Sequence, residues 1–173
     1  TFPAMLIPTP PRFTATLQAA PNGSAANFHT VRLMRQLVQL RKTDPTIIQT
    51  ACNIIYQTPQ FSDDAESRAL FEFVRDRIRY VKDVAGIETL TDPAITLQRA
   101  VGDCDDQTTL LATLLESVGY PTRFVMQGYQ TREFEHVFMQ AFVNGEWITM
   151  DPTQNAPMGW TPPDAISTWI EKV

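Results

Sequence analysis

Three residues of this chain carry chemistry that their neighbours sharpen. Cys104 stands in "VGDCDDQTTLLATLLESVGYP", among Asp103, Asp105 and Asp106 and at the mouth of an apolar run. His136 opens "HVFMQAFV", and Asp151 closes "EWITMDP". A thiol, an imidazole and a carboxylate are the parts of a nucleophilic acyl-transfer site. The imidazole takes the thiol proton and returns it to the leaving group, while the carboxylate fixes the ring and stabilises its cation. Asp103 precedes the apolar run as a helix N-cap, and Asp106, three residues on, completes a capping-box-like arrangement. Cys104 then becomes the first residue of a helix, where the dipole favours thiolate. The three carboxylates oppose that by like charge, so a cationic partner is required. Taken locally, Cys104 reads equally well as a small residue packed beneath a loop. Two donors must hold an oxyanion: the Cys104 backbone N–H is one candidate. Gln98, six residues upstream, and Tyr80 are candidates for the second, although Gln98 reads equally as an exposed helix residue.

The elements that would position these groups follow from periodicity. Leu110, Leu111, Leu114, Leu115 and Val118 recur at helical spacing after Cys104, and Gly119–Pro121 ends that helix. "TRFVMQGY", "EHVFMQAFV" and "EWITMDP" read as strands, the last two joined by Asn144–Gly145, a two-residue hairpin signal. In that hairpin Val143 pairs with Glu146, so Phe138 faces Asp151 and His136 faces Thr153. His136 and Asp151 then share one face as diagonal neighbours about 7–8 Å apart, and Cys104 is expected against that face. Further upstream the pattern predicts a helix from about Asn27 to Lys42 and a second from Asp44–Pro45, with Cys52 as a small core residue on its apolar side. A third begins at Ser62 or Asp63, with Leu70, Phe71, Val74 and Ile78 inward, and a short one follows Asp92–Pro93. A last helix is expected from Asp164 to Lys172, with Ile166, Trp169 and Ile170 on one side. Helices first, then a helix feeding antiparallel strands, is an α+β order. The division expected is a Pro-rich extended arm over residues 1–26 and a single domain over 27–173.

Composition narrows the function classes. With 43% hydrophobic and 19% charged residues the chain reads as globular. Its formal net charge of −5 argues against nucleic acid as a partner. No apolar run is long enough to cross a bilayer, and the first residues lack the basic start and long apolar middle of a signal peptide. Two cysteines, with no CxxC and no Cys/His spacing, support neither a disulfide framework nor zinc. As a calcium site the acidic trio falls short, because calcium needs about six to eight oxygens, and caps explain three carboxylates better. His29, the other histidine, lies among polar residues and reads as a surface group.

The stretches "GDCDDQTTLLATLLESVGYPTRFV" and "EHVFMQAFVNGEWITMDPT", in the order Cys, His, Asp, resemble the transglutaminase-like superfamily, including its bacterial cysteine-peptidase-like members. The resemblance covers roughly Leu70 to Thr153. It implies a papain-like α+β core, with a nucleophile helix packed on an antiparallel sheet and the helices of residues 27–60 added to a core of residues 61–173. It implies Cys104 as nucleophile, His136 as base and Asp151 as orienter, with no metal or organic cofactor required. Many relatives read His-Ala-Trp where this chain has "HVF", which bears on substrate contacts. The family holds transglutaminases, deamidases, peptidases and members without catalysis, and fold does not choose among them. The leading expectation is hydrolysis of amide bonds in a peptide or protein substrate. Transfer of a glutamine acyl group and a non-catalytic assembly module are the alternatives, the arm being a possible contact with a protein partner.

Overall fold

Asp44–Pro45 and Asp92–Pro93 each start a helix, as the Asp-Pro pairs predict: proline pre-sets the first helical φ while the aspartate accepts from a free N–H. The computed structural model describes residues 14–18, 24–82 and 87–173. Strand β1 (Thr14–Gln18) is followed by helices α1 (Ser24–Arg41), α2 (Pro45–Ile55) and α3 (Asp63–Arg77). Short strands β2 (Arg79–Tyr80) and β3 (Ile87–Thr91) lead to α4 (Pro93–Arg99), β4 (Val101–Gly102) and α5 (Cys104–Ser117). Strands β5 (Thr122–Gly128), β6 (His136–Val143), β7 (Glu146–Met150) and β8 (Ser167–Lys172) complete the chain. The fold is α+β. Helix α1 starts at Ser24, a little before the expected Asn27. Of the expected arm, Thr14–Gln18 pairs antiparallel with β3; residues 1–13 and 19–23 lie outside the described residues.

Helix α5 is the axis of the packing. Every residue from Asp106 to Leu115 is buried, so this helix is enclosed all round rather than amphipathic. Val31, Met34 and Val38 of α1, Ile47 and Ala51 of α2, and Leu70, Phe71 and Val74 of α3 share one core with Leu110, Leu111, Leu114 and Leu115. The sheet closes the other side in the order β7-β6-β5-β8, contributing Phe124, Met126, Val137, Met139, Ala141 and Met150 to the same core. The buried threonines of α5 are satisfied locally or against the sheet. Thr109 and Thr113 donate back to Asp105 and Thr109 carbonyls, each at 2.6 Å, and Thr108 Oγ1 donates to the Val137 carbonyl at 3.3 Å.

The hairpin forms in the expected register, Val143 opposite Glu146, with Asn144 and Gly145 both at positive φ, as a type I′ turn needs. Two expectations about individual helices fail. Residues 167–172 form a strand, not a helix. Ile166, Trp169 and Ile170 have helical spacing, but Thr168, Trp169 and Ile170 are β-branched or aromatic, and β5 offers an open ladder from Arg123 to Gly128. Cys52 is exposed, not a core residue. The buried stripe of α2 runs Ile47 to Ala51, and a residue five positions after Ile47 is rotated well off that line.

A buried ion cluster ties the first helices to α4. The Arg41 guanidinium, at the end of α1, bonds Asp92 through Nε at 2.7 Å and reaches Asp44 at 3.5 Å. Each aspartate caps a helix with its other oxygen: Asp44 accepts from the Thr46 N–H and Asp92 from the Ala94 N–H. One cation thus secures two helix starts. Arg41→Ala strands two buried carboxylates, and the expected loss is about 3–5 kcal/mol of stability in urea unfolding; a loss below about 1 kcal/mol would show the cluster to be incidental.

Candidate active site

The helix bearing the thiol starts as the sequence implies. Asp103, in extended backbone, accepts from the N–H groups of Asp105 at 3.1 Å and Asp106 at 3.2 Å. The Asp106 carboxylate, almost fully buried, turns towards β3 and accepts from the Thr91 N–H at 2.7 Å. Gly102 makes this possible, since a Cβ there would lie 2.6 Å from Asp106 Cβ. The Gly102 carbonyl receives Val81 N–H at 3.0 Å and Gln107 Nε2 at 3.1 Å. Cys104 is held from both sides: β4 ends just before it, and α5 runs on from it into the core.

His136 and Asp151 meet. Nε2 of His136 lies 2.7 Å from Asp151 Oδ2. An ionised carboxylate can only accept, so this bond places the proton on Nε2 and leaves Nδ1 as the basic nitrogen. The other Asp151 oxygen takes the Thr153 N–H at 3.1 Å and the Thr153 hydroxyl at 2.7 Å. Asp151 is 3% exposed, and the two Thr153 bonds hold its carboxylate with Oδ2 on the imidazole. The Thr153 contribution was missed in the sequence, although Asp-Pro-Thr has the form of an Asx turn.

The thiol reaches this pair by a route that differs from the expectation. Helix α5 packs on the face of β6 that carries Val137, Met139 and Ala141, whereas His136 and Asp151 project from the opposite face. Cys104 meets the sheet at its edge. Continuing the register beyond Met139 and Met150 sets Val137 opposite Pro152, which has no N–H to give. The ladder stops there, and the main chain of Val137 turns to α5 instead: its carbonyl accepts from Thr108, and its N–H bonds the Cys104 sulfur. The thiol is therefore in the notch where β7 ends, one residue from His136.

The electrostatics of the resting thiol favour S–H. Burial pushes its pKa well up, the charges of Asp105 and Asp103 push it further, and Cys104 Sγ donates to Asp105 Oδ1 at 3.4 Å; the Val137 N–H pulls the other way. Of the two side chains considered for the oxyanion, Tyr80 pairs with Gly102 in the β2–β4 ladder, two residues from Cys104, and is 48% exposed. Gln98 is exposed on α4. The Cys104 backbone N–H, at the first helical position, meets no acceptor among the described residues. Among the described residues no three His, Cys, Asp or Glu side chains converge as a metal site, and no helix is long and apolar enough to cross a membrane.

The family model of the transglutaminase-like superfamily matches residues 53–152, the span that holds all three groups. The chain belongs to the transglutaminase-like superfamily. Its fold resembles that of a candidate protease from Parabacteroides distasonis ATCC 8503, with a TM-score of 0.59 and 13% identity over 80% of this chain and 27% of that one. It also resembles a candidate cysteine protease from Cytophaga hutchinsonii, with a TM-score of 0.51 and 17% identity over 72% of this chain and 45% of that one. The chain thus spans less than half the length of these two neighbours. No curated protein matches it significantly in sequence.

Because Asp105 is the nearest charge opposing the thiolate, Asp105→Asn is expected to move the pH–rate profile of Cys104 alkylation to lower pH. Asp103→Ala shifts it the same way by less and also costs about 0.5–2 kcal/mol through the lost cap. Iodoacetamide kinetics in a Cys52→Ser background, needed because Cys52 is exposed, measure both; a profile moved to higher pH in Asp105→Asn contradicts the assignment.

Proposed function

We propose that the chain is a cysteine hydrolase that cleaves amide bonds in peptide or protein substrates through a thioester on Cys104. The observation that carries this reading is the 2.7 Å bond between His136 and Asp151 beside a sulfur held by the next residue's N–H. Nδ1 of His136 takes the Cys104 proton as the sulfur attacks the carbonyl carbon. Buried thiolate, costly at rest, forms only alongside imidazolium, whose charge Asp151 stabilises. The oxyanion is held by the Cys104 backbone N–H, with Tyr80, paired with Gly102 on β4, as the second donor. His136 then protonates the departing amine, leaving the acyl group on sulfur. Water, deprotonated by His136, attacks the thioester; the carboxylate product leaves and the proton returns to the thiol. No cofactor enters these steps.

Cys104→Ala and His136→Ala are expected to abolish turnover. Asp151→Asn keeps the shape but removes the charge, and a large, incomplete loss is expected. A serine triad loses about 10⁴-fold from that change, and the more acidic thiol loses less. The test is a thiol-directed acyl probe with mass spectrometry of the labelled residue, followed by product analysis on peptides with and without an added primary amine. A Cys104 thioester released as free acid supports the hydrolase. Release mainly as an amide of the added amine would make it a transferase, and a folded protein that forms no thioester would make it a scaffold.

A further inference from the structure

The loop between β5 and β6 is built with unusual care for a segment that merely connects two strands. Gly128 admits the chain so closely that a Cβ there would lie 2.2 Å from the Glu133 carbonyl oxygen. The Glu135 carboxylate accepts from the N–H groups of Gln130 at 3.0 Å and Thr131 at 3.3 Å, and its own N–H donates to the Gln127 carbonyl at 2.9 Å. Asn27 of α1 donates to the Phe134 carbonyl at 2.8 Å, and Phe28 packs edge-on against both Phe134 and Trp169. The loop leads directly into His136, and at its start it carries Tyr129.

Tyr129 donates its hydroxyl to Gln127 Oε1 at 2.8 Å. Gln127 is buried, and on β5 it stands directly opposite His136. Directly paired residues of antiparallel strands project from the same face with Cβ atoms about 5 Å apart, so the Gln127 amide borders the imidazole. Phe138, two residues along β6, borders it at 6.0 Å between ring centroids. Tyr129 is also near enough to Asp151 to feel its charge, which together with burial holds the phenol neutral. We infer that Gln127 is a positioning residue for His136, locked by the Tyr129 hydroxyl, and that the pair keeps the ring turned with Nε2 on Asp151 and Nδ1 towards the thiol. This deepens the proposed function, since it rests on His136 being the base. A side-chain amide held at one end cannot swing away, and an imidazole bordered by a fixed amide across the sheet and a phenyl ring along its own strand has little room to rotate.

The test separates ring positioning from turnover. In the full chain with Cys52→Ser and His29→Gln, so that one histidine remains, ¹⁵N–¹H NMR reads the tautomer and the Nε2 proton of His136 directly. Tyr129→Phe removes only the hydroxyl. It is expected to broaden or shift the Nε2–H resonance and to slow Cys104 alkylation at neutral pH by about 2- to 10-fold, the worth of one neutral hydrogen bond. Gln127→Met, which keeps the volume without the amide, is expected to do the same. A sharp, unshifted Nε2–H resonance and an unchanged alkylation rate in folded Tyr129→Phe overturn the inference, and wild-type behaviour of Gln127→Met overturns it independently. His136→Ala supplies the separate control. If Cys104 alkylates as fast without the imidazole, the proposed triad fails, while the ring signature in Tyr129→Phe still decides the positioning role.

Discussion

On the β7 side the main-chain groups of Val137 have no strand partner, and the site depends on how that vacancy is filled. Opposite Val137 the register calls for Pro152, and proline cannot donate. A buried carbonyl and N–H left unpaired would each cost about as much as a lost hydrogen bond. Helix α5 meets both needs: Thr108 supplies a donor to the carbonyl, and the Cys104 sulfur accepts from the N–H. Docking the helix and placing the thiol are therefore one event. Thr108 and Cys104, four residues apart on one face of α5, reach that strand together.

That requirement explains the composition of α5. A helix buried all round would ordinarily be apolar, yet this one carries Asp106, Gln107, Thr108, Thr109 and Thr113 among its buried residues. Asp106 ties it to β3, Gln107 to the carbonyl of Gly102 and Thr108 to β6. The leucines bury area without direction, whereas these polar bonds have direction and fix the rotation and height of the helix. The Arg41 cluster acts at a distance from the same end: it secures the start of α4, whose chain continues through β4 to Cys104.

Wherever a local rule and the tertiary fold agree, the sequence was readable. The Asp-Pro helix starts, the Asn-Gly turn and the Val143–Glu146 register all follow from backbone chemistry within a few residues, and the pairing of His136 with Asp151 followed from that register. What escaped was set by neighbours distant in sequence. Residues 167–172 had a helical spacing of apolar groups, but the free edge of β5 recruited them as a strand. Cys52 looked buried because the apolar run around it is long, while the stripe that faces α5 passes it by. The side on which α5 packs relative to His136 was also out of reach, because alternation along a strand says which residues share a face and not which face meets a helix. Thr153 was visible as the residue facing His136 but not as a donor to Asp151, and Gln127 and Tyr129 give no local sign, since their neighbour is a histidine on another strand.

Strand β8 has a consequence in time as well as in space. The loop before His136 is buttressed by residues made much later: Ile166 N–H bonds the Gly128 carbonyl, Ser167 reaches the Arg132 carbonyl at 3.3 Å, and Trp169 packs on Phe28. Chains emerge during synthesis at about 5–20 residues per second and fold as their parts become available. A growing chain that has just completed Asp151 possesses its thiol, imidazole and carboxylate, yet β5 still has a bare edge and the loop lacks its far support. The three groups are present in the nascent chain before they are held in place, so their geometry is completed only when the last strand has been made.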